Sequence, residues 1–190
     1  MRENRRVLVG MSGGIDSSIV CILLQKRGYE VVGVTMRMWD SQRHFKEGDI
    51  EPDYILSARR LAQQLGIVHH VIDARAVFKN EVVDYFTSEY LNGRTPNPCV
   101  RCNRVIKWNL MRKLADELDC WYLATGHYAN VVCLNDNYYI SKGREEKKDQ
   151  SYFLNQLSQK QLEKVIFPLG NLTKEQVRKI AEDNDLISAH

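Results

Sequence analysis

The sequence contains no apolar run long enough to cross a bilayer, which excludes a helical membrane-spanning protein. Residues 1–6 are charged and lead directly into an apolar run, which argues against a secretory signal peptide, and Glu3 argues against a transit peptide. Internal repeats and low-complexity segments are also absent, and the net charge of +3 gives only a slight preference for acidic partners. These absences predict a cytoplasmic protein that does not associate with membranes.

A disulfide framework is not expected either. The five cysteines are an odd number, and Cys21 and Cys120 occupy positions that look buried, so a reducing compartment is indicated. The 190 residues suit one domain, or one domain with a small appendage. The apolar share of 44% and the charged share of 27% are ordinary for a globular domain with a real core.

The first two thirds of the chain alternate between strand and helix patterns. Apolar or β-branched runs predict strands at 7–10, 31–36, 67–72 and 121–125. Helical periodicity predicts helices at 17–27, 54–65, 76–91 and 103–118. This order is typical of an α/β fold with a doubly wound parallel sheet, in which ligands bind beyond the carboxyl ends of the strands.

The pattern changes after residue 130. Two apolar runs flank Asn135-Asp136-Asn137 and predict a β-hairpin. Two capping boxes, Ser158 with Gln161 and Thr173 with Gln176, each predict the start of a short C-terminal helix. We therefore divide the chain into a main domain at 1–145 and a helical extension at 146–190.

Two common phosphate-binding signatures are missing, the lysine that ends a Walker A loop and the G-x-G-x-x-G dinucleotide fingerprint. In their place, Ser12-Gly13-Gly14-Ile15-Asp16-Ser17 joins the first strand to the first helix. Such a turn presents free backbone N–H groups and the positive end of a helix dipole at one point, which suits a phosphate. The alternative is a glycine-rich turn with no ligand. The six residues resemble the PP-loop of ATP pyrophosphatases, which implies that they hold the β- and γ-phosphates of ATP while a substrate attacks the α-phosphate.

A second candidate site is Cys99-Val100-Arg101-Cys102. Cys102 directly precedes the predicted helix at 103–118, and Arg101, Arg104 and Lys107 lie within one turn of it. The helix dipole and these cations should lower the pKa of the Cys102 thiol and make its sulfur nucleophilic. The alternatives are a structural zinc half-site and a pair of packed thiols, but no second C-x-x-C is present to complete a zinc site.

Four blocks of sequence, in one order, make the resemblance more specific. They are Ser12 to Ser17, then 93–98 with Cys102-Asn103 and Ile106-Lys107, then 124–129, then 148–154. Together they resemble the tRNA-specific 2-thiouridylase family over nearly the whole chain, with its adenine nucleotide alpha hydrolase-like fold. That family adenylates the C2 oxygen of the wobble uridine in certain tRNAs and then replaces this oxygen with sulfur from a cysteine persulfide.

The resemblance implies roles for particular residues. ATP would be bound by the loop and by two residues that contact the nucleoside: Gly10, Met11, Ser12, Gly13, Gly14, Ile15, Asp16, Ser17, Met36 and Gly126. Cys102 would be the nucleophile. The target base would face Asn97, Pro98 and Cys99, and the tRNA would contact Lys148, Asp149 and Gln150. Mg²⁺ would help to neutralise the pyrophosphate, with Asp16 as the nearby carboxylate, and no metal site formed by the protein alone is predicted. The partners would be tRNA and a sulfur-donor relay protein or a cysteine desulfurase.

Two departures from the family pattern affect these expectations. The family's persulfide-carrying cysteine and its two later β domains would lie beyond His190, so we expect these 190 residues alone to bind ATP without thiolating tRNA. At position 99 many members have an aspartate that is proposed to aid proton transfer, whereas this chain has a cysteine. Cys99 could act as a second catalytic thiol, pair with Cys102 or have no role. Two alternative functions remain: another PP-loop adenylating enzyme, such as a 2-thiocytidine synthetase or an amidotransferase-type synthetase, and a non-catalytic nucleotide- or zinc-binding module.

Overall fold

A parallel sheet of five strands forms the centre of the computed structural model, which describes residues 5–40 and 51–186. The strands are β1 (Arg6–Gly10), β2 (Glu30–Arg37), β3 (Val68–Asp73), β4 (Tyr122–Ala124) and β7 (Val165–Ile166), and their spatial order is β3-β2-β1-β4-β7. A separate antiparallel pair consists of β5 (Ala129–Leu134) and β6 (Asn137–Lys142). Because the strand order reverses between β1 and β4, their carboxyl ends border the crevice where such sheets bind ligands.

Helices cover both faces of the sheet, which confirms the predicted α/β class. They are α1 (Ile15–Lys26), α2 (Asp53–Gln64), α3 (Arg75–Phe78), α4 (Tyr85–Leu91), α5 (Pro98–Cys102), α6 (Trp108–Glu117), α7 (Gln159–Leu162) and α8 (Lys174–Glu182). Side chains alternate along β1: Val7 and Val9 join one core with α1, α2 and α8, whereas Leu8 joins a second core with α6. Among the described helices, none has the length and apolarity that a bilayer span requires.

Two predicted helices differ in the structure. The helix expected at 76–91 consists of α3, a π turn at Lys79–Asp84 and α4. The helix expected to begin at Asn103 begins instead at Pro98 and continues through a second π turn, Asn103–Lys107, into α6. The side chain of Asn97 causes the earlier start, because its Oδ1 accepts the N–H groups of Cys99 and Val100, each at 3.1 Å. Pro98, at the first helical position, also favours a helix start, because its fixed φ suits a helix and its missing N–H would have no partner there.

The hairpin and both capping boxes are confirmed. Asn135 and Asp136 form a two-residue turn with φ values of 49° and 59°, as a hairpin turn of this length requires. The Thr173 N–H donates to Gln176 Oε1 at 2.9 Å, and the Gln176 N–H donates to Thr173 Oγ1 at 3.2 Å. The two-residue strand β7 is not predicted from the sequence, because it is too short to show a pattern.

Candidate functional site

The loop after β1 has the geometry expected of a phosphate site. Gly14 is the N-cap of α1, and Ser17 holds the loop closed, since its hydroxyl donates to the Gly14 carbonyl at 2.9 Å and accepts the Ser12 N–H at 3.2 Å. Gly13 has φ +77°, and a Cβ there would lie 2.5 Å from the carbonyl oxygen of Tyr54 in α2. Glycine is therefore required at position 13 by both backbone conformation and space.

Asp16, in the first turn of α1, is held by two partners from distant parts of the chain. Its Oδ1 accepts the Tyr128 hydroxyl at 3.0 Å and the Lys174 ammonium at 2.5 Å. Burial and the neighbouring Asp16 charge raise the pKa of Tyr128, so the phenol stays protonated as the donor. Lys174 thus brings a cation to the N-terminal end of α1, although the loop itself has no lysine.

A cavity of about 380 Å³ opens beside this loop, at the carboxyl ends of the strands. Eight of the residues predicted to contact ATP or tRNA line it: Gly10, Met11, Ser12, Asp16, Ser17, Met36, Gly126 and Gln150. Val34, Thr35, Met38, Tyr54, Met111, Thr125, His127 and Lys107 complete the described part of the wall. Gly13, Gly14 and Ile15 belong to the loop but do not line the cavity. The lining combines apolar side chains with a few polar groups, which is typical of a small-molecule site.

Gly126 allows the wall of this cavity to approach the loop closely. A Cβ at this position would lie 3.3 Å from the Ser17 nitrogen and 3.3 Å from the backbone carbon of Asp16. The start of α1 and the end of β4 can therefore form adjacent walls of one cavity.

Two histidines, His127 buried and His69 half-buried, lie beside threonine hydroxyls at this site. The Thr35 hydroxyl donates to the Met11 carbonyl at 2.9 Å and lies 2.8 Å from His69 Nε2, so this nitrogen carries the proton. Thr125 Oγ1 and His127 Nδ1 are 2.7 Å apart. Burial lowers the pKa of His69 to about 4 and that of His127 to about 3, so both rings are neutral at neutral pH.

The carboxylate of Asp16 fits a phosphate-bound Mg²⁺ but not a metal held by the protein alone. Its side chain is 37% exposed, and it is the only carboxylate among the described residues that line the cavity. No group of three or more potential ligands of the His, Cys, Asp or Glu type occurs within 5–40 and 51–186. Magnesium commonly takes one or two carboxylates together with substrate phosphates, so Asp16 is suited to that type of binding.

The two cysteines of the C-x-x-C segment occupy opposite environments from those expected. Cys99 is exposed and lies in the first turn of the helix, where Asn97 caps its backbone N–H. Cys102 is 9% exposed, lies one turn further in and packs beside Ile106. Burial raises the pKa of Cys102, and the Lys107 charge only partly opposes this effect. The predicted lowering of the Cys102 pKa by a helix start is therefore wrong, because the helix begins before it.

The residues predicted to meet tRNA do not all lie together. Asn97 lines a second, polar cavity of about 280 Å³ with Arg101, Arg104 and Tyr152 among others, whereas Gln150 lines the first. Lys148 is exposed on a 3₁₀ turn. Asp149 accepts the Gly143 N–H at 3.0 Å and the Ser151 hydroxyl at 2.8 Å, so its carboxylate orders the local chain.

Comparisons with known proteins decide the family. Residues 5–190 match the family described as the tRNA methyl transferase HUP domain. The chain belongs to this family. The tRNA-specific 2-thiouridylase MnmA 3 of Phocaeicola vulgatus is 52% identical over 178 residues, which are 93% of this chain and 48% of that protein. The tRNA-specific 2-thiouridylase MnmA of Carboxydothermus hydrogenoformans is 47% identical over 97% of this chain and 52% of that protein. The chain thus spans about half the length of these relatives, and the resemblance predicted from its sequence blocks is confirmed.

Solved structures agree on the fold of this family member. A 4-thiouridine synthetase in complex with RNA and ATP has a TM-score of 0.63 at 18% identity, covering 97% of this chain and 42% of that one. The NH3-dependent NAD synthetase of Campylobacter jejuni has a TM-score of 0.57 at 18% identity, covering 98% of this chain and 66% of that one. At these identities the likeness concerns the fold, which is of the PP-loop adenine nucleotide alpha hydrolase-like type.

Lys174 is one of the residues around this site that our sequence prediction missed. It follows Thr173 in a capping box that we interpreted only as a helix start. A lysine in the first turn of a helix opposes the helix dipole. This unfavourable placement is the signal in the sequence that could have marked Lys174 as functional.

Proposed function

We propose that this chain is the ATP-binding and tRNA-adenylating part of a tRNA 2-thiouridylase. The observation that carries the proposal is the single cavity in which the loop, Met36, Gly126 and Gln150 meet, although they are far apart in the sequence. The names of the relatives at 46–52% identity supply the substrate class. Since the chain spans about half of those relatives, the complete reaction is proposed for the longer protein.

The loop and Lys174 are suited to the outer phosphates of ATP. The N–H groups at the start of α1 offer hydrogen bonds, and the helix dipole favours negative charge there. The Lys174 ammonium is paired with Asp16, and a phosphate entering the loop would compete for it. Release of Asp16 would free its carboxylate for Mg²⁺, which would supply charge neutralisation to the pyrophosphate. The apolar part of the lining, which includes Met36, would enclose the nucleoside.

The proposed chemistry has two steps. In the first, the C2 oxygen of the uridine forms a bond to the α-phosphorus, the bond from that phosphorus to the pyrophosphate breaks, and the N3 proton of the uridine passes to solvent. In the second, the terminal sulfur of a persulfide attacks C2, and AMP departs with the former C2 oxygen. A second thiol then attacks the inner sulfur, so that the S–S bond breaks, the transferred sulfur stays on C2 and the uridine takes up a proton at N3. The disulfide that forms between the two thiols is reduced by an external thiol reductant. The sulfur would come from a relay protein or a cysteine desulfurase. Adenylation turns a poor leaving group into a good one, which explains the need for ATP.

Calorimetry on this chain tests the ATP-binding part of the proposal. We expect ATP to bind and Lys174→Gln to weaken that binding by about 10- to 100-fold, as the loss of a charge-assisted hydrogen bond predicts. Lys179→Gln is the matched control, since Lys179 is an exposed lysine on the same helix. Equal affinities for the two variants would remove Lys174 from the site, and no ATP binding by the unaltered chain would refute the proposal.

Nucleoside analysis tests the reaction in the full-length protein. tRNA from cells that lack this protein should lose its 2-thiouridine derivatives and keep its methylated nucleosides. Because the family description mentions methyl transfer, the reverse result would point to a methyltransferase and contradict thiolation.

A tRNA substrate and five free thiols, two of them exposed, are both compatible with the cytoplasm.

A further inference from the structure

The π turn at Asn103–Lys107 changes which side chains share one side of the long helix that begins at Pro98. The Trp108 N–H donates to the Asn103 carbonyl, five residues earlier. In an α-helix, residues five apart are separated by about 140° around the axis. The i→i+5 hydrogen bond of a π turn instead aligns such residues, and these turns are frequent at functional sites. Lys107 is the last residue of this turn and lies five residues after Cys102, so the wider turn brings the two residues closer in direction than an α-helix would.

Lys107 also lines the nucleotide cavity, where no carboxylate from the described part of the chain pairs with it. Asp16 and Lys107 are the two formally charged side chains in the described lining, and Asp16 already pairs with Lys174. Within the residues that the structure describes, no carboxylate lies at ion-pair distance from Lys107. Lys107 is half-buried, and a lysine at a cavity wall with no carboxylate partner within 5–40 and 51–186 is suited to an anionic ligand.

The charge of Lys107 acts on groups both in the cavity and in the C-x-x-C segment. It adds to burial in lowering the pKa of His127, which lines the cavity, and it partly opposes the burial that raises the pKa of Cys102, which does not line the cavity. One ammonium therefore acts on groups that belong to two separate parts of the proposed reaction.

We propose that Lys107 is a catalytic residue that binds the α-phosphate of the nucleotide. This inference rests on the proposed function, in which the loop and Lys174 hold the outer phosphates and the reaction occurs at the α-phosphorus. The ammonium would stabilise the negative charge on the α-phosphate oxygens as the uridine C2 oxygen bonds to phosphorus and pyrophosphate leaves. It would act again on AMP when the sulfur attacks C2, since the same phosphate departs.

Comparing AMP with pyrophosphate tests this assignment, because only AMP contains the α-phosphate. In the full-length protein, Lys107→Met should weaken AMP binding by about 10- to 100-fold and leave pyrophosphate binding unchanged. Lys107→Arg should keep most of the AMP affinity, since the charge is retained. Arg104→Met is the control, because Arg104 is an exposed cation in the same π turn that does not line this cavity.

Alkylation of Cys102 gives a readout that does not depend on turnover. Lys107→Met should move the pH profile of this alkylation to higher pH, whereas Arg104→Met should not. Unchanged AMP affinity in Lys107→Met, or an equal loss of AMP and pyrophosphate affinity, would overturn the assignment. Should Lys107→Met fail to fold, Lys107→Gln gives the same comparison. If the unaltered protein binds neither AMP nor ATP, the proposed function itself fails, and the two failures are thus distinguishable.

Discussion

Gly13 offers a sharp test of how the loop is built, because the neighbouring Gly14 provides a matched control. In Gly13→Ala, the new side chain must adopt a φ of +77°, which costs about 1–3 kcal/mol. Its Cβ would also lie 2.5 Å from the Tyr54 carbonyl and 3.2 Å from Ser57 Cβ, so α2 must shift. We expect the free energy of unfolding to fall by at least about 2 kcal/mol.

Gly14→Ala should behave differently although it is only one residue away. Gly14 has φ −97°, and its nearest neighbour would be Ser12 Oγ at 3.6 Å from the new Cβ. Replacing glycine restricts the unfolded chain, which stabilises the folded state. Alanine is a poorer N-cap than glycine, which destabilises the start of α1. These effects oppose each other, and we expect a net change within about 0.5 kcal/mol.

Urea and thermal unfolding of the two variants, without nucleotide, measure the difference. A loss of about 2 kcal/mol corresponds to a fall in Tm of about 4–8 °C for a chain of this size. If Gly13→Ala were as stable as Gly14→Ala, the close approach of the loop to α2 would not exist in solution. A larger loss in Gly14→Ala would contradict the assignment of the left-handed conformation to position 13.

Two further predictions follow from buried titratable groups. The folded state favours the neutral forms of His69 and His127, so the unfolded chain binds more protons than the folded chain below pH 6.5. The free energy of unfolding should therefore fall as the pH is lowered from about 6.5 towards 4. Unfolding curves at several pH values check this, and His127→Gln should reduce the dependence of the unfolding free energy on pH. Iodoacetamide should label Cys99 before Cys102, because Cys99 is exposed whereas Cys102 is buried and has a raised pKa. Peptide mapping that finds Cys102 labelled first would contradict this structure.

The fold and the phosphate loop could be predicted from the sequence because their signals are local and strong. Three neighbouring signals indicate the same strand–loop–helix conformation: the apolar run before Gly10, the glycines at 13 and 14, and the helical pattern after them. The parallel sheet also follows from the alternation of strands and helices, whereas the strand order comes from the structure. The strand β7 could not be found in this way, because its two residues pair with β4 only after the chain has folded around them.

The C-x-x-C segment shows why a site prediction depends on a helix boundary. Helical periodicity is clear from Asn103 onward, so the helix was expected to start there. Asn97 and Pro98 move the start five residues earlier by capping, and this shift exchanges the environments of Cys99 and Cys102. The prediction failed because it depended on the position of the helix start, which lies before Cys102.

The position of Lys107 could not be obtained from the sequence for a related reason. A regular helix after Cys102 would carry Lys107 to the far side of the axis, away from the cysteine. The π turn changes this by closing its hydrogen bonds over five residues instead of four. The apolar spacing at Ile106, Leu110 and Leu114 is compatible with both geometries, so no periodicity marks the turn. After the turn, Trp108 and Met111 pack into the core beside the sheet, and Lys107 lines the cavity beside the loop.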